Sequence, residues 1–263
     1  MKTAALFSFA VLRATARALM LPAIGIMLAI MAWTWIGTRY GNPVLLPTPW
    51  QTLASLIDLT RDGSLLRDLV ASLRRVGVGF SIAAGLAVPL ALVLAFFKPL
   101  RRIVGPVLGV LRPIPAIAWI PLAILWLGIG DKPSYFITSV AAFFPIFIST
   151  LGGGLAVERQ HLYAAQCLGA GRAALLFRIF LPSALPVIWT GLKIGLGQSW
   201  MAVVTAELIA APSGLGYMMQ INRINLETAH VLAGMAVVGL VGALMTAALD
   251  GCGRLIFPWK TTF

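Results

Sequence analysis

Long stretches without a charged residue are the feature that most restricts what this chain can form. A helix needs about 20 apolar residues to cross the hydrocarbon core of a bilayer, and a charge at its centre costs about 2.5–3.5 kcal/mol. Charged residues therefore mark the ends of spans, and they delimit five windows: 18–38, 76–97, 113–130, 133–157 and 231–249. A sixth window, 179–206, is interrupted only by Lys193, whose side chain can reach the headgroups. The sequence predicts an all-α membrane protein with six transmembrane helices.

Composition and charge agree with this class. The chain is 60% hydrophobic and 11% charged, whereas a soluble domain carries about 25% charged residues. The formal net charge is +12, yet the basic residues lie between apolar windows and form no single patch, which indicates membrane loops and not nucleic-acid binding. Two cysteines are too few for a disulfide framework, so we expect free thiols at Cys167 and Cys252.

The distribution of lysine and arginine predicts the orientation. These residues are more frequent in the segments that an inside N-terminus would place in the cytoplasm, so both termini are expected on the cytoplasmic side of the membrane. The first residues mimic a signal peptide, but Arg13 lies in the cleavage region and a full-length span follows, which favours an uncleaved cytoplasmic lead-in. The outer segment 39–75 has apolar residues at helical spacing and is expected to lie along the outer surface.

Prolines and small residues indicate a packed bundle with an irregular helix. Lipid tolerates prolines only where protein or a cavity satisfies the freed backbone groups. The third window, with Pro113, Pro115 and Pro121, is therefore either a bent structural helix or a wall of a translocation path. Small residues at four-residue spacing let helices approach closely, within a bundle or across a dimer interface. They form two stripes: Gly77, Ser81 and Gly85, then Gly191, Gly195 and Ser199.

The stretch "YAAQCLGAGRAALLFRIFLP" between the fourth and fifth windows has the pattern of two short helices. The first is predicted from about 157 to 168 and ends at a Gly-Ala-Gly turn, where glycine can adopt a left-handed conformation. The second is predicted from about 172 to 180. It is expected to stop near Leu181, because the residue before a proline is disfavoured in a helix. The product would be a helical hairpin on the cytoplasmic face, a shape suited to docking a partner.

Few polar residues fall inside the apolar windows. Glu207 is the acidic residue at the edge of the fifth window, and a carboxylate there marks a functional site by default. It either caps the outer end of the span, pairs with an arginine or takes part in an outer gate. Lys193 and Arg112 are candidate cations for a pathway, although both also suit anchoring to headgroups or neighbouring helices. Three polar residues share the predicted helix with Glu207: Gln198, Ser199 and Thr205.

The hairpin residues resemble the EAA loop of ABC-importer permeases, which forms a coupling helix against the cytoplasmic ATPase subunit in that family. The family's glutamate position is Tyr163 here, which puts any salt bridge made by that glutamate in question. The resemblance implies that the coupling residues are Tyr163, Ala164, Ala165, Leu168, Gly169, Arg172, Ile179, Leu181 and Pro182, and Pro186 matches the family's second proline.

The resemblance covers about 45 to 258 and includes "LRPIPAIAWIPLAILWLGIG" and "AELIAAPSGLGYMM". These stretches are similar to the branch of the family that serves nitrate, sulfonate and taurine importers. The implied fold is the type I ABC-importer permease architecture. Its expected parts are an N-terminal segment, 1–58, with the first span and an outer-surface segment, and a core domain, 59–263, with five spans and the EAA loop at about 158–186.

The resemblance also implies a function and partners. The chain would form a homodimer, bind two cytoplasmic ATPase subunits that hold ATP and magnesium, and receive solute from a periplasmic or lipid-anchored binding protein. The expected cargo is a small anion such as an aliphatic sulfonate, taurine or nitrate. This chain itself would carry no catalytic residue, cofactor or metal. The expected pathway or gate residues are Pro113, Pro115, Pro121, Gln198, Ser199, Thr205 and Glu207.

Two other functional classes were weighed against the importer. A membrane enzyme needs paired catalytic groups, but the histidines are only His161 and His230, and no zinc-protease or nucleophile-elbow motif occurs. No Walker A motif occurs either, so an ATP-driven transporter would need a separate ATPase. A secondary transporter driven by an ion gradient would show repeated halves and buried ionisable residues, which are scarce in this sequence, and it stays as the alternative.

Overall fold

The computed structural model describes Met20 and residues 23–157, 159–171 and 174–257, and within these ranges the chain is helical without any strand. The predicted all-α class is confirmed. The expected cytoplasmic lead-in, Arg172 of the hairpin and residues 258–263 lie outside the described residues.

Helices follow one another along the chain with short connections. They are α1 (23–40), α2 (Pro49–Arg61), α3 (Ser64–Phe96), α4 (Lys98–Leu111), α5 (Ile120–Leu127), α6 (Asp131–Leu155), α7 (Arg159–Cys167), α8 (Leu181–Ala210), α9 (Leu215–Ile224) and α10 (Thr228–Ile256). A 3₁₀ turn, Ala116–Trp119, precedes α5, and a π-helical turn, Leu175–Phe180, precedes α8.

In the described part of the chain, 4 helices are long and apolar enough to cross a membrane: Ser64–Phe96, Asp131–Leu155, Arg178–Ala210 and Thr228–Ile256. Among the described residues, a further span arises only if α4 and Ala116–Leu127 count together, and this pair is bent by 86°. The window 113–130 is therefore not one straight helix, and Pro113 and Pro115 lie in the bend. With 4 or 5 candidate spans, the predicted six spans and cytoplasmic termini are not confirmed.

Helix α3 begins at Ser64, well before the predicted window 76–97, and carries charged residues into the bundle. Arg75 and Asp68 are buried, with 0% and 4% of their surfaces exposed. On the preceding helix, Leu59 also packs into the core. The prediction that all of 39–75 lies along the outer surface is wrong. A charged residue can lie within a membrane bundle when it is paired. Arg75 pairs with Glu207 and Asp131, and Asp68 accepts a hydrogen bond from the Gly214 N–H.

Local hydrogen bonds fix the start of α2 and the turn that follows it. The Thr48 hydroxyl accepts the Gln51 N–H at 3.4 Å, and the Gln51 side-chain oxygen accepts the Thr48 N–H at 2.8 Å. At the other end, Asp62 accepts bonds from the Ser64 hydroxyl and N–H at 2.6 and 2.8 Å, which lower the pKa of Asp62. Gly63 supplies the left-handed conformation, φ +74°, between the two helices.

Helix α6 lies between α3 and α8 and forms the centre of the core. A Cβ atom added to Gly79 of α3 would lie 2.6 Å from the Thr138 Cβ, and one added to Gly191 of α8 would lie 2.6 Å from the Ser149 Cβ. Small residues are thus required where these helices meet. The predicted stripe on α8 is buried against α6: Gly191, Gly195 and Ser199. The predicted stripe on α3 is exposed: Gly77, Ser81 and Gly85.

The first half of the hairpin follows the prediction. Helix α7 ends at Cys167, and Gly169 then adopts φ +83°, the left-handed conformation expected of it. The N–H of Ala170 donates to the carbonyl of Ala165 at 3.0 Å and closes the helix end. The chain therefore reverses direction at the glycine turn.

The second half corrects the prediction, because no break occurs at Leu181. This residue is helical, with φ −63° and ψ −50°, and the π-helical turn continues directly into α8. The N–H of Leu181 donates to Leu176, five residues back. A π turn widens the helix and relieves the clash that the ring of Pro182 would make with the preceding turn. The chain from Ala174 through the π-helical turn into α8 is therefore continuously helical.

Replacing Gly79 by alanine should destabilise the bundle by about 1–3 kcal/mol, because the new methyl group would overlap Thr138 of α6. The matched control is Gly77→Ala on the same helix, where nothing lies within 4 Å of the added atom. That control should be neutral or slightly stabilising, since alanine favours helix. Thermal unfolding of the purified protein in detergent measures both, and equal melting temperatures would contradict the packing described.

Candidate functional site

The hairpin has an exposed tip, which includes Tyr163 and Leu168, and a buried base, which includes Leu175 and Phe180. Tyr163 and Leu168 are 58% and 89% exposed, whereas Leu175 and Phe180 are only 5% and 4% exposed. At the tip, Ala164 and Gly169 are also exposed, and Ala165 is half-buried. An apolar side chain as accessible as Leu168 at a fixed turn is suited to contact with another protein.

The base of the hairpin joins the ends of the spanning helices. The Phe180 ring meets the ring of Phe96, with centroids 5.8 Å apart, and lies close to Gly154 at the end of α6. Ile179 and Leu181 are half-buried, and Pro182 is exposed. The π-helical turn therefore packs against α3 and α6 and continues directly into α8.

A buried ion-pair junction lies at the opposite end of α6. Arg75 donates from Nη1 to Glu207 Oε1 at 2.7 Å, and from Nε and Nη2 to Asp131 Oδ1 at 2.9 and 2.6 Å. Ser213 accepts two further bonds, through its carbonyl at 2.5 Å and its hydroxyl at 2.7 Å. Arg74, which is exposed, also pairs with Asp131. One guanidinium thus links α3, α6, α8 and the segment after α8.

Glu207 is held by more than the arginine. The Ser72 Oγ lies 2.8 Å from Glu207 Oε2, and the Gly216 N–H donates to the same oxygen at 3.0 Å. Gly214 has φ +110°, and a Cβ atom there would collide with the Glu207 carboxylate. Of the roles expected for Glu207, the structure shows pairing with an arginine. It is 1% exposed and does not line the cavity described next.

A cavity of about 620 Å³ lies between the bend after α4 and the middles of α6 and α8. Its walls are apolar except for four residues: Arg112, Ser149, Gln198 and Thr205. Pro115, Gln198 and Thr205, which the sequence suggested for the pathway, are brought together here. Pro113, Pro121, Ser199 and Glu207 are not among its lining residues. The buried Ser199 instead donates to the Thr138 carbonyl at 3.2 Å.

The remaining residues singled out in the sequence are Lys193 and the two cysteines. Lys193 has an ion-pair partner, and the cysteines belong to no metal site among the described residues. Of the roles expected for Lys193, the structure shows anchoring to a neighbouring helix, because its Nζ lies 2.7 Å from Asp250 Oδ1 on α10. Asp131 at the start of α6 and Asp250 in α10 are further acidic residues within or beside the spans. Cys167 and Cys252 are free and exposed, and no cluster of three or more metal-ligating side chains occurs among the described residues.

Sequence reasoning missed the ion-pair junction. The sequence patterns do not predict Arg75, Asp131, Ser72 or Ser213 as site residues, because the two charged residues lie just outside apolar windows and the serines match no motif. A usable signal was the apolar periodicity that continues backward from 76 through Leu65 and Leu69, which pack against the core of α8 and α9. It would have placed Arg75 inside a helix.

The sequence from 87 to 261 matches the family described as "Binding-protein-dependent transport system inner membrane component". This match covers more than half of the 263 residues. The chain belongs to this family. It is an inner-membrane, multi-pass component of ABC-importer permease type, as the EAA-like hairpin indicated.

Curated relatives and a solved structure agree. The chain is 37% identical over 232 residues to the taurine transport system permease protein TauC of Escherichia coli strain K12, covering 86% of this chain and 84% of the relative. It is 30% identical over 246 residues to the nitrate import permease protein NrtB of Synechocystis, covering 90% and 89%. The fold is similar to a structure of the MetNI methionine ABC transporter, with TM-score 0.57 and 20% identity, covering 81% of this chain and 96% of that one.

Replacing Glu207 by alanine should lower the free energy of unfolding by about 3–5 kcal/mol, because it leaves part of the buried Arg75 charge uncompensated. The matched control is Arg74→Ala, which removes an exposed partner of the same junction and should cost about 1 kcal/mol or less. Thermal unfolding in detergent compares the two. Equal losses would contradict the view that Arg75 depends on Glu207.

Proposed function

We propose that this chain is the membrane subunit of an ATP-driven importer that moves a small anion, such as an aliphatic sulfonate, taurine or nitrate, into the cytoplasm. The observation that carries the proposal is the exposed turn at Gly169, in a segment that resembles the EAA loop and whose part from Leu175 onward is continuous with α8. Relatives named for taurine and nitrate support a cargo that carries an oxyanion group, since taurine is a zwitterion with a sulfonate and nitrate is an anion, without choosing between these two.

The proposed coupling residues occupy the tip and base of the hairpin. Tyr163 and Leu168 would contact the ATPase at the exposed tip, and Tyr163 would do so without a carboxylate. Leu181 and Pro182 would pass the displacement into α8, since the helix is unbroken there. ATP and magnesium would bind to the partner subunits and not to this chain.

The proposed assembly needs further chains. Two ATPase subunits, a second copy of this chain and an external solute-binding protein would complete it. Many apolar side chains of the spans are exposed in the single chain, for example Leu86, Leu240 and Leu244 at 61%, 61% and 59%. Lipid and a second copy would share this surface.

Pathway residues are proposed from the cavity. Pro115, Gln198 and Thr205 would line the route, and the proline-containing bend between α4 and α5 would form one movable wall. Glu207 would act indirectly, by holding the helices that form the opposite walls, because its carboxylate is sealed behind Arg75.

The proposal is tested by purifying the tagged protein gently from its native membrane and identifying the chains that copurify. An ATPase subunit should accompany the wild type and be lost from Gly169→Arg, which strains a left-handed turn and adds a charge to the tip. The matched control is Gly63→Arg, which imposes the same strain at φ +74° in the turn between α2 and α3. This control should retain the ATPase.

Two outcomes would count against the proposal. Equal recovery of the ATPase with both variants would contradict coupling through the hairpin. A wild-type protein that purifies without any ATPase would overturn the importer function itself and favour a secondary transporter.

A further inference from the structure

The cavity has the size of a small-molecule site and three structured walls. At about 620 Å³ it falls within the range of about 300–1,000 Å³ that is typical of ligand sites in proteins. Its walls are the bend after α4, α6 from Ile137 to Ser149, and α8 from Ile194 to Thr205. It could hold a small organic ion with some of its hydration.

The residues that line the cavity carry positive charge and no negative charge. Arg112 is the one charged residue among the lining residues, and no carboxylate is among them. Gln198 adds an amide with two N–H donors. Thr205 already donates its hydroxyl to the Met201 carbonyl at 3.1 Å. The wall therefore offers cationic and N–H donors in largely apolar surroundings, which favours an anion over a cation.

Arg112 also differs from the cations buried among the spans. Arg75 is neutralised by Glu207 and Asp131, and Lys193 by Asp250. Within the described residues, the Arg112 side chain has neither an ion pair nor a hydrogen bond, while its backbone N–H closes α4 by donating to Leu108 at 3.0 Å. The end of α4 thus places Arg112, an exposed arginine without a carboxylate partner among the described residues, in the lining of the cavity.

We infer that Arg112 recognises the oxyanion of the cargo inside the cavity, so that the permease selects for negative charge in addition to any selection by the binding protein. A guanidinium presents a planar fork of N–H donors that matches two oxygens of a sulfonate or nitrate. The inference rests on the proposed import function, and it extends that function by assigning the charge selectivity to one residue.

Protection from chemical modification tests the site without a substitution. Phenylglyoxal, which modifies arginine, is applied to the wild-type protein in nanodiscs, and the modification of individual arginines is followed by mass spectrometry of peptic peptides. Ethanesulfonate or nitrate should slow the modification of Arg112 about tenfold, because a bound oxyanion shields the guanidinium. Ethanesulfonamide, which is neutral, should not. Arg102, exposed on the same helix and outside the cavity, is the internal control.

The outcomes separate the inference from the proposed function. Protection of Arg112 but not of Arg102 supports the anion site. Equal modification with and without either anion overturns the anion site, even if an ATPase copurifies and the import function stands. Protection of Arg112 in a protein that binds no ATPase supports the anion site and contradicts the importer.

Transport by the purified complex in proteoliposomes gives the second measurement. Arg112→Gln should lower the uptake of labelled ethanesulfonate about tenfold. Arg112→Lys should lower the uptake less, because the ammonium keeps the positive charge but lacks the paired N–H donors of the guanidinium. Arg102→Gln should transport like the wild type. Copurification of the ATPase with each variant verifies its assembly. Unchanged uptake by Arg112→Gln would overturn the inference.

Discussion

A guanidinium with no exposed surface holds the membrane helices together at one end. An unpaired ion in apolar surroundings costs several kcal/mol, so Arg75 of α3 restricts where its partners can lie. Asp131 must stay at the start of α6, Glu207 near the end of α8, and Ser213 just beyond it. Gly214 must then be a residue without a side chain, because a Cβ atom would displace the carboxylate. The positions of three spans follow from the neutralisation of one charge.

The same helices are joined at the other end by the base of the hairpin, where Phe180 packs beside Phe96 and Gly154. The block of α3, α6 and α8 is thus tied at both ends. Helix α4 differs, since none of its residues is buried and an 86° bend separates it from the segment that contains α5. The cavity lies where this bend meets the block. A fixed block beside a bent segment suits a pathway that opens and closes, and the unbroken helix from the π-helical turn into α8 suits the proposed transmission of force.

The sequence predicted the helical class, four of the spanning windows and the glycine turn of the hairpin, because each depends on local patterns of apolar residues and on φ at Gly169. The sequence-based prediction failed where the structure depends on contacts or helix geometry that local patterns do not show. Arg75 was read as the end of a span because Glu207 and Asp131, its partners, are distant in sequence. Leu181 was expected to end a helix because the rule for residues before proline does not include a π turn. The cavity could be suspected from Pro115, Gln198 and Thr205 separately, but their convergence needs the packing of α6 and α8.

The proposed function requires that the hairpin faces the cytoplasm and is covered by an ATPase. Cys167 is a native, exposed thiol at its tip, so a membrane-impermeant maleimide can report on it once Cys252 is replaced by serine. The account predicts labelling of Cys167 in inside-out vesicles but not in intact spheroplasts, and slower labelling while the ATPase is bound than after it is stripped away. Labelling of Cys167 from the outer side, or a rate that is the same with and without the ATPase, would contradict it.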